Sequence, residues 1–181
     1  MGLDKNKEII TIKDFMQIKA LTELHGDDFK AITKDLLKYS KEDKLKDANR
    51  KVLSYLQGLN NKQDSLTQKF EYNGCEYGLI PDFEDLTVAE YIDIDKYQND
   101  PNNIHRLMAI MYRPVTSTWN NKYEIEEYEG TSKYSDRFLD LDINLYHGVL
   151  SFFLAISQIL LKDIQTSLQK KMKQKNLTKK D

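Results

Sequence analysis

Asn73-Gly74 constrains the fold of this chain more than any other pair of residues. It stands between two short alternating runs, Gln68-Lys69-Phe70-Glu71-Tyr72 and Cys75-Glu76-Tyr77-Gly78-Leu79-Ile80. A two-residue loop joining antiparallel strands needs positive φ at both central positions, and Asn-Gly meets that need at least cost. The pair therefore predicts a β-hairpin, which Pro81-Asp82 ends. A chain holding such a hairpin amid helical patterns is of the α+β class.

The helical patterns dominate on both sides. Thr11 and Asp14 have capping-box spacing, and Ile12, Phe15, Met16, Leu21 and Leu24 follow as an apolar stripe up to Gly26. A second helix from Asp27 or Asp28 carries Phe29, Ile32, Leu36 and Leu37. Ser40 and Asp43 offer a cap for a third, with Leu45, Ala48, Val52, Leu53 and Leu56 inward. Gly58 to Ser65 is polar and reads as a linker.

Beyond the hairpin, Thr87 and Glu90 open another helix with Val88, Tyr91, Ile92 and Asp95. Asp100-Pro101 starts the next, with Ile104, Leu107, Met108 and Met111 on its inner face, and Arg113-Pro114 stops it. Lys122 to Glu129 alternates and is Tyr-rich, which predicts one further short strand or an extended arm. A short helix from Ser132 to about Leu141 follows. The last element runs from about Leu145 to Lys171. Val149, Phe152, Phe153, Ile156, Leu160, Ile164 and Leu168 recur along it at helical spacing, and Leu150, Leu154 and Leu161 add a second apolar face.

These elements predict a mostly α-helical α+β protein in three parts. They are a helical N-terminal region (1–60), an α+β domain with a long C-terminal helix (66–170), and a Lys-rich tail (171–181). The 181 residues suffice to bury a core without disulfides or metals. The single cysteine, Cys75, allows no intramolecular disulfide, which fits a reducing compartment. Met1 to Glu8 lacks the apolar run of a signal peptide, and Asn6 leaves the myristoylation pattern incomplete. Leu145 to Leu161 is short for a bilayer and carries His147, Ser151, Ser157 and Gln158, so a helix in protein or water is expected rather than a membrane span.

The same chain offers no recognisable catalytic pattern. His25, His105 and His147 stand far apart, outside any zinc-ligand spacing. No phosphate-binding glycine loop, dinucleotide turn or nucleophile elbow is present. Cys75 reads as a small strand residue. Asp82, Glu84, Asp85, Glu90, Asp93 and Asp95 form an acidic group that could serve a hydrolase or a divalent cation, although a solvated acidic face explains them more simply. Glu124, Glu126, Glu127 and Glu129 form a second such patch. The net charge of −2 gives no overall attraction to nucleic acid, and the terminal lysines lack an aromatic platform for bases. The reading is a protein without cofactor, metal or small-molecule substrate that binds other proteins.

Several runs taken in order resemble a known class. They are Phe70-Glu71-Tyr72-Asn73-Gly74 with Tyr77-Gly78-Leu79-Ile80-Pro81, then Leu86-Thr87-Val88-Ala89-Glu90-Tyr91-Ile92-Asp93-Ile94-Asp95. Met108-Ala109-Ile110-Met111-Tyr112-Arg113-Pro114, Tyr123-Glu124-Ile125-Glu126-Glu127-Tyr128-Glu129-Gly130 and the Phe152-Phe153 helix follow. This order resembles tail-assembly-chaperone-like or virion-morphogenesis proteins of tailed phages, including those of gut Bacteroidetes phages, over about residues 66–165. The resemblance implies a non-enzymatic role in the bacterial host cytoplasm. The expected partners are other phage structural or tail proteins, with a homo-oligomer as an option.

Two roles follow from it: a chaperone that covers a helical tail protein during assembly, or a permanent neck or tail component of the virion. An enzyme with an acidic metal-dependent site is the weaker alternative. Candidate partner-binding residues are Leu150, Phe153, Leu154 and Leu161 on the terminal helix, and Tyr123 and Tyr128 on the Tyr-rich arm. The opposing simple reading makes the terminal helix the core helix of a monomer.

Overall fold

The computed structural model describes residues 9–39, 45–58, 65–156, 158 and 162. Helix α1 (Ile12–His25), α2 (Phe29–Tyr39) and α3 (Leu45–Gly58) form the helical N-terminal region. Strands β1 (Lys69–Tyr72) and β2 (Cys75–Leu79) are followed by α4 (Val88–Tyr97) and α5 (Ile104–Met111). Strands β3 (Tyr112–Trp119) and β4 (Lys122–Ile125) then complete the sheet. A single 3₁₀ turn (Thr131–Lys133), α6 (Ser135–Phe138) and a helix over 143–156, here α7, end the described chain. The class is α+β and mostly helical, as expected.

The hairpin forms where Asn73-Gly74 placed it. Tyr72 pairs with Cys75, and φ is +51° at Asn73 and +74° at Gly74. Both capping boxes close as well. Asp14 N–H donates to Thr11 Oγ1 at 3.1 Å, and Glu90 N–H donates to Thr87 Oγ1 at 3.2 Å. In the N-terminal helices Ile12, Ile18, Ile32, Leu36, Ala48 and Val52 are buried, whereas Leu24, Leu45 and Leu53 face outward. The Ser40–Asp43 cap, most of the polar linker and, apart from 158 and 162, the terminal helix beyond 156 lie outside the described residues.

The sheet differs from expectation by one strand. It is a four-stranded antiparallel meander in the order β1-β2-β3-β4, and β3 occupies a stretch read only as the stop of a helix. Pro114 does bar helix here, because it drives Arg113 into extended geometry. The extended chain then becomes strand without a loop, and Tyr112 N–H still closes the last turn of α5 on Met108 O. A proline inside a sheet is tolerated where no ladder hydrogen bond needs its nitrogen. Pro114 stands opposite Tyr77 of β2 and next to the register shift between Val115 and Ser117, and its carbonyl accepts from Glu126 N–H at 2.9 Å, one residue past the end of β4. Asn120 and Asn121, at φ +45° and +62°, turn β3 into β4.

Two helix boundaries also moved. Pro101 lies in a turn closed by Asn103 N–H on Asp100 O (3.0 Å), and α5 begins at Ile104. The segment from Ser132 to Leu141 divides into the 3₁₀ turn and α6, with Tyr134, Phe138 and Leu141 buried as expected.

The central core helix is α5. Ile104, Leu107, Met108, Ala109, Ile110 and Met111 are all buried. Aromatic rings pack beside it: Phe70 stacks on Tyr77 at 5.5 Å, and Tyr77 meets Phe138 edge-on at 5.1 Å. The Tyr112 hydroxyl donates to Thr67 O at 2.7 Å, which satisfies the polar end of a buried ring. The N-terminal helices share this core. Ile12 N–H donates to Leu141 O and Ile143 N–H to Ile10 O, both at 2.9 Å, and one apolar cluster runs from Ile10 to Val149.

Candidate functional site

Two surfaces stand out, one charged and one apolar. The charged one is a cleft of about 440 Å³ between the start of α4, the Arg113 end of β3 and the extended segment after β4. Pro114 holds Arg113 in the strand, and the Thr87 capping box holds Glu90 in the first turn of α4. Between them lies an ion pair of 2.6 Å with both side chains buried. Thr87 N–H and its hydroxyl also donate to Glu90 Oε2, each at 2.7 Å. Burial by itself raises the Glu90 carboxyl. The Thr87 hydrogen bonds and the Arg113 guanidinium outweigh it and hold the carboxyl below its ordinary value.

The Tyr128 ring centre lies 5.6 Å from the guanidinium carbon, within cation–π range. The Tyr128 hydroxyl donates to Asp93 Oδ2, and burial, together with that carboxylate, raises the Tyr128 phenol far above its usual range. Arg113 Nε and Nη1 are buried without a hydrogen-bond partner among the described residues. Around this floor stand Asp82, Asp85, Glu126 and Glu127. Glu126 is engaged by Lys133 Nζ at 2.8 Å and by the Tyr134 hydroxyl. No salt bridge to Asp82, Asp85 or Glu127 is seen among the described residues.

Of the acidic residues that could serve a metal or hydrolase site, Asp82, Asp85 and Glu90 line this cleft, whereas Glu84, Asp93 and Asp95 are not in its lining. Asp93 is bonded to Tyr128, whereas Asp95 is exposed and accepts from Gln98 Nε2 at 3.1 Å. Two residues apart on a helix, they point to different sides. Among the described residues, no group of three or more His, Cys, Asp or Glu is placed to hold a metal ion. His105 is half-buried in α5, where burial, and then Arg106, lower its imidazole below the ordinary value.

Exposed apolar side chains are carried by α4 and, separately, by α7. On α4, Val88, Tyr91 and Ile92 are 77, 66 and 58 % exposed. They lie at i, i+3 and i+4 and so form one stripe, while Glu90, Ile94 and Tyr97 take the buried side. On α7, Ile143, Tyr146 and Val149 are buried, and Phe153 packs against the same core. Leu150 and Leu154, 36 and 55 % exposed, lie on the outward side. Phe152 meets Phe83 at 4.8 Å between ring centres.

The candidate partner-binding residues therefore divide. Leu150 and Leu154 are available at the surface, Phe153 belongs largely to the core, and Leu161 lies outside the described residues. Tyr123 and Tyr128 sit in different settings from those two leucines. The Tyr123 hydroxyl donates to Leu79 O at 2.9 Å, and that of Tyr128 donates to Asp93. Sequence reasoning passed over Arg113 and the outward stripe of α4. The spacing of Val88, Tyr91 and Ile92 was a usable signal for the stripe, but nothing local marked Arg113 as the partner of Glu90.

Among the described residues no helix is long and apolar enough to cross a membrane. Comparison with protein-family models, with curated proteins and with solved structures found no match.

Proposed function

We propose that this protein is a non-enzymatic binding protein that covers apolar helical segments of a partner, in the manner of a tailed-phage tail-assembly chaperone. The observation that carries this reading is the outward stripe of Val88, Tyr91 and Ile92 on α4; Leu150 and Leu154 on α7 are exposed as well. Each of these helices already buries its other side in the core, so the outward apolar residues are surplus to folding. Contiguous exposed apolar side chains on a helix commonly mark a partner surface, and an amphipathic client helix would meet them with its own stripe.

The test is co-expression with a long helical tail protein, followed by affinity capture. Tyr91→Asp/Ile92→Asp and Leu150→Asp/Leu154→Asp are expected to abolish capture while leaving the circular dichroism spectrum and melting temperature near wild type. Undiminished capture by both folded variants would sink the reading. A permanent place in the virion is the second reading. It needs the Tyr-rich arm to contact neighbouring copies, and the hydroxyls of Tyr123 and Tyr128 are both occupied within the chain. Stoichiometric presence in purified particles would favour it nonetheless.

A further inference from the structure

Helices α2 and α3 leave a groove of about 480 Å³ open between them. Its lining is mostly apolar, with Phe29 and Leu37 from α2, Leu45 from α3, and Asn49 beside them. Leu45 is 59 % exposed. Lys30 and Lys34, one helical turn apart, stand exposed along the α2 rim. Neither lysine has a salt-bridge partner among the described residues. The buried sides of the same two helices, with Ile32, Leu36, Ala48 and Val52, already serve the core.

The outward stripe of α4 matches this groove in length and in charge. At about 1.5 Å per residue, Phe29 to Leu37 spans about 12 Å of α2, and Val88 to Asp95 about 10 Å of α4. Val88, Tyr91 and Ile92 supply exposed apolar side chains. Asp95, one turn on from Tyr91 and Ile92, supplies an exposed carboxylate on the same face. Glu84 and Asp85 add exposed acidic groups just before the helix, while Lys96 lies 4.8 Å from the centre of the Tyr97 ring. An apolar stripe with acidic ends is the complement of an apolar groove with a basic rim.

Within one chain the two surfaces are fixed on different neighbours. Helix α4 packs on α5 through its buried Ile94 and Tyr97 side, whereas α2 and α3 pack on α1. We infer that the α4 stripe of one copy docks in the α2–α3 groove of a second copy. Stripe and groove are different surfaces, so the contact is heterologous, and repeating it builds a closed ring or an open chain of copies. The inference rests on the reading of the α4 stripe as a partner surface, and it adds the groove, which that reading does not use.

Sedimentation velocity of the full chain over a concentration series tests it. The wild type is expected to grow beyond the mass of one chain as concentration rises. Leu45→Asp in the groove and Ile92→Asp in the stripe, both at exposed positions, should each remain single chains. Mixed in equal amounts, the two variants should form a pair of twice that mass and nothing larger, because one intact stripe then meets one intact groove. The charge reversals Lys30→Glu/Lys34→Glu and Asp95→Lys repeat the test without altering apolar surface. Each alone is expected to dissociate the assembly, and mixing them to restore it. A wild type that stays a single chain at every concentration, or variants that associate no better mixed than apart, would overturn the inference. A single-chain wild type whose client capture is lost in Leu45→Asp would give the groove to the client and overturn it as well. Client capture by a single-chain wild type sinks self-docking alone, and self-assembly without capture sinks the proposed function alone.

Discussion

The Tyr123 ring of β4 lies over Gly78 of β2, so that a Cβ built on Gly78 would stand 2.5 Å from Tyr123 Cε2 and 3.0 Å from Ile125 Cγ2. The absent side chain makes room for an aromatic ring that closes the sheet face. The ring is anchored by its hydroxyl, which donates to Leu79 O. Gly78→Ala must push the ring away and strain that hydrogen bond, and is expected to destabilise the fold by about 1–3 kcal/mol, the usual cost of overpacking. Tyr123→Phe keeps the ring and should cost about 1 kcal/mol. In urea unfolding, Gly78→Ala in a Tyr123→Ala background is expected to cost less than in the wild type, because the clash is gone.

The Glu90–Arg113 pair is buried, so removing one partner leaves a charge without compensation. Arg113→Met is expected to cost about 3–5 kcal/mol. The pH dependence follows from the lowered Glu90 carboxyl. A carboxyl whose folded value lies below its unfolded value adds stability above the unfolded value, and that stability is lost as pH falls through the folded value. Stability should therefore decline on the acid side of the ordinary Glu value of 4.5. Glu90→Gln should flatten that part of the profile, measured by chemical denaturation at a series of pH values.

Gly148 gives a prediction whose sign opposes helix propensity. In an isolated helix, Gly→Ala gains about 1 kcal/mol. Here a Cβ would stand 2.9 Å from Ser65 O and 3.4 Å from Leu66 Cα, and both are backbone atoms. Gly148→Ala is expected to lower the melting temperature, whereas Ala155→Gly on the exposed side of α7 should lower it only by the propensity difference. A stabilised Gly148→Ala protein would show that α7 does not approach Ser65 this closely.

The turn between β3 and β4 holds Asn121 at φ +62°. Left-handed geometry costs a β-branched residue about 1–2 kcal/mol and costs glycine nothing. Asn121→Val should therefore destabilise by about that amount, and Asn121→Gly should leave the midpoint unchanged or raise it.

The exposed leucines should separate cleanly from the core in a stability assay. Leu154→Ala is expected to stay within about 0.5 kcal/mol of wild type, as surface changes do. Phe138→Ala, at a fully buried ring, should cost about 3–5 kcal/mol. A large loss at Leu154 would place that side chain in packing rather than at an available surface.

Read alone, the chain determined whatever depends on residues three or four apart, or on a single turn. The Asn73-Gly74 hairpin, the Thr11/Asp14 and Thr87/Glu90 capping boxes and the inner face of α5 belong here, because each is an interaction between near neighbours and its geometry is set by residue type. The outward leucines of α7 were legible as a second apolar face, but not as exposed. Tertiary structure decided what depends on long-range partners. Pro114 looked like a helix stop, and only the pairing of β2 with β3 turned that stop into a strand. Arg113 finds Glu90 across 23 positions, and Gly148 meets Ser65 across 83. Such contacts have no local signature: the chain pays loop-closure entropy to form them, and the reward comes from a neighbour that the one-dimensional pattern does not name.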